Sequence, residues 1–189
     1  MRARPCKSVV SGEMLLRRAG QAVQLQGSLG AVLDAGVQPP VMVVLYGLPG
    51  TGKSHMALGA ADAWPGRAIV LCFEQGLGPT LVDLVRRVEA LRPDYAVADG
   101  WDEILELIAG YDLVVVDSAQ AVEVTPSQWR AATVDMGRSL IMTSQVNAAG
   151  DVRGGLACGH IADIVVELLP ERRFRVAKYR GGDLHEGTW

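Results

Sequence analysis

Along the chain, apolar runs of five or six residues alternate with longer stretches whose apolar positions recur at helical spacing. "VMVVLY" (41–46), "AIVLCF" (68–73), "LVVVD" (113–117) and "SLIMTS" (139–144) show no strict polar–apolar alternation. Such runs predict parallel strands covered on both faces. Between them, residues 53–63, Leu81 to Leu91, "WDEILELIAG" (101–110) and "PSQWRAATVDM" (126–136) read as helices, and "YAVA" (95–98) as a short strand. "WPG" after residue 63 and Gly110 act as stops. Ser11 caps a predicted helix running to about Asp34, with Leu15, Ala19, Ala22, Val23 and Leu33 on one stripe, and "DAGVQPP" ends it.

Strands alternating with helices predict an α/β fold: a mainly parallel central sheet with right-handed crossovers, flanked by helices. The end of the chain departs from this pattern. "ADIVVELLPERRFRVAKYR" holds two strand-like runs around "PER", which predicts a C-terminal antiparallel hairpin. The expected organisation is a basic N-terminal helical segment over 1–36 and a core over 37–189. Neither repeats nor a low-complexity tract interrupts it.

Composition sharpens this picture at a few points. The 189 residues, 49% of them hydrophobic, suffice for one domain with a full core. No stretch approaches about 18 uninterrupted apolar residues, so no membrane helix is expected. "MRARPCKSVVSGEMLLRR" is basic and lacks the apolar region of a secretory signal, although Arg-rich, acid-poor starts also occur in organelle transit peptides. Cytoplasm is the expected location. Cys6, Cys72 and Cys158 are widely separated and form no C-x-x-C pair, so no zinc or disulfide framework is expected, and Cys72 reads as a buried small hydrophobe. The net charge of −3 argues against constitutive polyanion binding. Basic residues do cluster locally, at Arg2, Arg4, Lys7, Arg17 and Arg18 and again from Arg172 to Arg180.

Chemistry enters at "GLPGTGKS" (47–54), which meets the pattern G-x-x-x-x-G-K-[ST] between a predicted buried strand and a helix. Glycines let backbone N–H groups turn inward around phosphate oxygens, and the helix that follows offers its positive end. Gly47, Leu48, Pro49, Gly50, Thr51, Gly52, Lys53, Ser54 and the adjoining His55 are therefore the expected ATP-binding residues. Lys53 is expected to reach the β- and γ-phosphates, and the Ser54 hydroxyl to ligate Mg²⁺. Asp117 closes "LVVVD" and is expected to hold the metal through water. Glu74 directly follows "AIVLCF", where a carboxylate can polarise an attacking water. Lys53, Glu74, Asp117 and Gln145 all fall at carboxyl ends of predicted strands, where open α/β sheets bind ligands. No [NT]-K-x-D motif for guanine and no Arg-rich lid insertion is present, which disfavours a GTPase and a small-molecule kinase.

In this order of motifs the chain resembles the RecA-type ATPases, particularly the ATPase core of bacterial RadA and its relatives. "VLDAGVQPPVMVVLYGLPGTGKS", "VLCFEQG", "LVVVDSAQ", "GDVRGGLACGHIADIVVEL" and "KYRGG" carry the resemblance, which runs from about Ser28 to the end. It implies a RecA-like P-loop fold with Glu74 as catalytic glutamate and Asp117 as Walker B acid. It also implies a homo-oligomeric ring or filament that hydrolyses ATP at subunit interfaces. Lys178 and Arg180 would then act as finger residues on a neighbour's γ-phosphate, and Gln145 would sense that phosphate. "NAAGDVRGG" (147–155), with Asn147 and Arg153, would face single-stranded DNA in recombination, repair or replication. The resemblance does not extend to either flanking module of RadA, the segment from Ala119 to Ser139 is shorter, and Gly181 replaces an aromatic. The resemblance extends to circadian-clock relatives, so the alternatives are an ATP-driven switch controlling a protein partner and a slow nucleotide-binding accessory subunit.

Overall fold

The computed structural model describes residues 22–33, 36–146, 156–180 and 182–189. The start of the expected N-terminal helix, Cys6, Asp34, Asn147, Arg153 and Gly181 lie outside these residues. Among the described residues no helix is long and apolar enough to cross a membrane.

Among the described residues, eight strands form one sheet: β1 (Met42–Gly47), β2 (Ala68–Cys72), β3 (Asp94–Ala96), β4 (Leu113–Asp117), β5 (Ser139–Gln145), β6 (Ile164–Leu169), β7 (Arg173–Tyr179) and β8 (Glu186–Thr188). Their order across the sheet is β3-β2-β4-β5-β1-β6-β7-β8. The pairs from β3 through β6 are parallel, and β6–β7 and β7–β8 are antiparallel. The α-helices among the described residues are α1 (Gly27–Val32), α2 (Lys53–Ala63), α3 (Pro79–Val88), α4 (Trp101–Ile108), α5 (Pro126–Ala132) and α6 (Leu156–Ile161).

The unbroken apolar strands follow from this layering. Successive strand residues point to opposite faces, and each face is covered. In β1, Val43 and Leu45 join one core with Leu29, Met56, Leu58 and Leu81, from α1, α2 and α3. Met42 and Val44 join the other core with Ile104, Ile108 and Trp129, from α4 and α5. Trp129 is fully buried and packs edge-on against Trp101, ring centres 5.2 Å apart.

Four local expectations need correction. Val23 is not helical: it exchanges backbone hydrogen bonds with Val37 (2.7 and 2.9 Å), and of the described residues before β1 only Gly27–Val32 are helical, with Gly27 at φ 75°. Two-way pairing with Val37 satisfies the Val23 backbone that a continuous helix would otherwise have used. Residues 126–136 are not one helix. The Thr133 hydroxyl donates to the Trp129 carbonyl at 2.7 Å, and a 3-10 turn over Val134–Met136 closes on Gly137 at φ 86°. The helix expected from Leu81 to Leu91 starts earlier, with Pro79 in its first turn, and ends where Glu89 turns left-handed. The expected C-terminal hairpin is present as β6–β7, but a third strand, β8, extends it.

Candidate functional site

β1 sits between β5 and β6, with Gly47 opposite Gln145 on one side and Leu168 on the other. From its carboxyl end the chain crosses to β2 on one flank, and β6 lies on the other, so a crevice opens there. Glycine is required at both ends of the loop. At Gly47, φ is 153° and a Cβ would lie 2.2 Å from the Leu168 carbonyl oxygen. At Gly52, φ is 91°, a left-handed conformation that lets the chain enter α2, where the Met56 N–H donates to the Gly52 carbonyl at 2.9 Å.

The Lys53 ammonium donates to the carbonyls of Gly47 (3.0 Å) and Leu48 (2.7 Å) of its own loop. Lys53 is 9% exposed, and burial pushes its pKa below the ordinary 10.5, against the opposing pull of Asp117 and Glu74. No carboxylate among the described residues stands within ion-pair distance of it. A buried cation with only carbonyl partners is a ready site for an anion.

Beside it, one oxygen of the buried Asp117 accepts from the Ser54 hydroxyl (2.9 Å) and the Thr143 hydroxyl (2.8 Å). Thr143 in turn accepts from the Ser118 N–H at 2.7 Å, which fixes the chain directly after β4. Burial raises the Asp117 pKa, and the two hydroxyl hydrogen bonds partly offset this. Glu74, just past β2, is hydrogen-bonded to the Ser118 hydroxyl and receives the Gln145 amide at 3.4 and 3.5 Å. Ser118 adopts φ 66°, a rare left-handed conformation for a serine, and so turns its hydroxyl to Glu74.

Apart from the buried Asp117, these groups share one cavity of about 790 Å³, lined by the loop from Pro49 to His55 and by Glu74, Ser118, Thr143 and Gln145. Its volume lies in the range of small-molecule sites, ~300–1,000 Å³. The remaining wall comes from α3 (Thr80, Leu84, Arg87), from Arg172 after β6 and from Trp189 after β8. Burial, then Arg172 and Arg87, lower the His55 pKa and favour its neutral ring.

Mg²⁺ fits the oxygen donors Ser54 and Asp117. Among the described residues no cluster of three or more His, Cys, Asp or Glu could hold a metal alone. A hard ion held by one carboxylate and a hydroxyl, and completed by water and phosphate oxygens, suits Mg²⁺ rather than a dedicated protein cage.

The expected finger residues lie elsewhere. Along the β6–β7 pairing, Phe174 stands opposite Leu168, at the loop edge, and Tyr179 opposite Ile164. Five residues of strand span ~17 Å, so Lys178 and Arg180 lie at the far edge of the sheet from their own loop. There Lys178 donates to the carbonyls of Gly159 (2.9 Å) and His160 (3.0 Å). Arg180 pairs at 3.2 Å with Asp163, which also accepts from the Met42 N–H and from Arg130.

Sequence reading placed Lys53, Ser54, Glu74, Asp117 and Gln145 around one edge, and the structure brings them together. It missed Thr143, although a lone threonine near the end of a buried strand was a visible signal. It also missed Arg172, Arg87 and Trp189, which no local pattern marks.

A model of the family described as AAA domain matches residues 39–136, just over half of the chain. No curated protein matches the sequence. Among solved structures, the KaiC-like protein of the hyperthermophilic archaeon Pyrococcus horikoshii OT3 is similar, with a TM-score of 0.64 at 16% identity. That alignment covers 89% of this chain and 93% of the other. The likeness is one of fold: the mainly parallel sheet with its antiparallel extension is that of a KaiC-like, RecA-fold P-loop domain.

Proposed function

The chain belongs to the AAA domain family, and from that premise we propose that it is a Mg²⁺-dependent ATPase whose site is completed by a second copy. The observation that carries this reading is the shared cavity. A buried Lys53 without a carboxylate partner and a Glu74 oriented by Ser118 and Gln145 line the same space.

Loop N–H groups and Lys53 bind the triphosphate, with Lys53 exchanging its loop carbonyls for phosphate oxygens. Ser54 and, through water, Asp117 would hold Mg²⁺, which would supply positive charge against the triphosphate. Glu74 accepts a proton from the water that attacks the γ-phosphorus as the bond to the leaving oxygen breaks. Gln145 hydrogen-bonds Glu74 and thereby couples the state of the γ-phosphate to the end of β5. In a ring or filament, Lys178 and Arg180 of one copy reach the nucleotide of the next.

Replacing Glu74 by Gln tests the hydrolytic role. Phosphate release is expected to fall ~10²–10⁴-fold while calorimetric ATP binding persists. Unchanged release removes Glu74 from the site, and a wild-type chain that binds without turnover is the accessory subunit instead.

The work coupled to turnover is proposed from the RadA resemblance as DNA processing, with residues 1–36 as a basic N-terminal segment and Asn147 and Arg153 as the DNA contacts. Turnover should then rise with single-stranded DNA at low salt. The fold likeness to a KaiC-like protein favours a second reading, a nucleotide-controlled switch for a protein partner. Turnover that ignores single- and double-stranded DNA alike would select that reading.

A further inference from the structure

β8 contains only three residues, yet it carries the next residue, Trp189, back to the phosphate loop. Its pairing with β7 sets Arg173 opposite Thr188, and the Trp189 N–H donates to the Arg172 carbonyl at 2.9 Å. The six-membered ring of the indole then lies directly against Gly52: a Cβ there would approach two of its carbons to 2.5 Å. The His55 ring is tilted by 46° to it with centres 5.7 Å apart, and the Arg172 guanidinium lies 5.8 Å from its ring centre.

Two features of this placement carry a cost that packing alone does not explain. The indole Nε1 is buried without an acceptor, so no hydrogen bond sets the ring where it stands. The turn that presents Arg172 holds both Glu171 (φ 61°) and Arg172 (φ 54°) in the left-handed region. Tight hairpins with two such residues favour Asn and Gly, not Glu and Arg. An unsatisfied donor and a strained turn, both converging on one wall of a ligand cavity, mark a surface kept for what binds there.

That wall is aromatic, cationic and apolar, from Trp189, His55, Arg172 and Leu84. With the phosphate end defined by Lys53 and Ser54, the chemistry that matches it is a flat heterocycle. We propose that Trp189 is the base-stacking wall of the nucleotide site, backed by Arg172, and that it selects nucleoside triphosphates by the ring area of the base. This rests on the ATP-binding reading above. Stacking on an indole tolerates any base, because every base has a π-face, and favours the larger purine. Arg172 adds cation–π attraction at the distance where it operates, within ~6 Å. The neutral His55 ring flanks the stack without adding charge.

Calorimetric titration of the full chain with Mg²⁺ and ATP, CTP or inorganic tripolyphosphate tests this. Wild type should bind ATP more tightly than CTP, and CTP more tightly than tripolyphosphate. In Trp189→Ala, ATP affinity should fall ~5–150-fold, with tripolyphosphate affinity unchanged and the ATP–CTP preference lost. Trp189→Phe, which keeps a ring and the packing, should retain most of the ATP affinity. Equal losses for ATP and tripolyphosphate in Trp189→Ala would reduce the indole to a structural support of the loop. Gains for both would make it an obstruction of the phosphate cradle. Either result overturns the proposal. A wild type that binds tripolyphosphate as tightly as ATP overturns the stacking wall and leaves the phosphate cradle standing. Binding neither overturns the ATP reading as well.

Discussion

The two edges of the sheet hold their charged groups in opposite ways. At the carboxyl edge, Lys53, Asp117 and Glu74 are drawn together, two of them buried, and stabilised by neutral partners: carbonyls, hydroxyls and an amide. At the far edge, Lys178 and Arg180 are tied to carbonyls and to Asp163, and the Arg180 side chain is 58% exposed. The first arrangement holds Lys53 buried without a carboxylate partner, where an anion entering the cavity can compensate its charge. The second is a surface pair of small energetic weight, which a neighbouring polyanion can displace at little cost. Under the proposed function, a single chain assembles the first half of the site, and a second copy would supply the other.

The largest expected effect breaks that comparison directly. If the far edge serves a neighbour, Arg180→Ala should lower turnover ~10³–10⁵-fold without a matching loss of ATP binding. Mixing it with Lys53→Ala, which cannot hold the triphosphate, should then restore part of the activity in shared assemblies. Phosphate release that stays at the sum of the separate variants would leave the two edges unconnected.

A smaller effect tests the near edge by stability. Thr143→Val leaves the buried Ser118 N–H without its acceptor and Asp117 without one donor. Urea unfolding should show a loss of ~1–3 kcal/mol, with turnover reduced through misplaced Ser118 and Glu74. A variant as stable as wild type would mean that water replaces the hydroxyl.

The smallest effect is one of sign. Burial holds the Asp117 carboxyl above its ordinary 3.8, so the folded chain binds that proton more tightly than the unfolded chain. The corresponding stability is fully present below 3.8 and is lost as pH rises through the folded value. Above the folded value the ionised carboxylate therefore weakens the ligand-free fold. Asp117→Asn keeps the oxygen that accepts from Ser54 and Thr143 and removes the charge. Its ligand-free melting temperature should rise at pH 7, that gain should vanish in acid, and stabilisation by Mg²⁺ and ATP should be lost. A lower melting temperature at pH 7 would show the charge to be stabilising after all.

Much of the near edge was legible because its signals are local. "GLPGTGKS" follows a buried run, and Glu74, Asp117 and Gln145 each stand at the end of another. The helix boundaries were less legible. At Thr133 a side-chain hydrogen bond to the Trp129 carbonyl competes with helix continuation, and at Val23 a partner fourteen residues away takes the backbone. The expectation that Lys178 and Arg180 act in trans came from resemblance. The structure adds only that their own loop is out of their reach.

By itself the sequence determined the strand–helix alternation, the two-faced core and the phosphate loop, because apolar periodicity and glycine spacing act over a few residues. Only the tertiary structure decided what lies across from what. The pairing of β8 with β7 brings Trp189 against Gly52, 137 positions earlier in the chain, and parallel register brings Thr143 to Asp117. Such contacts are selected by long-range pairing and packing, whose energies depend on where other segments have already settled.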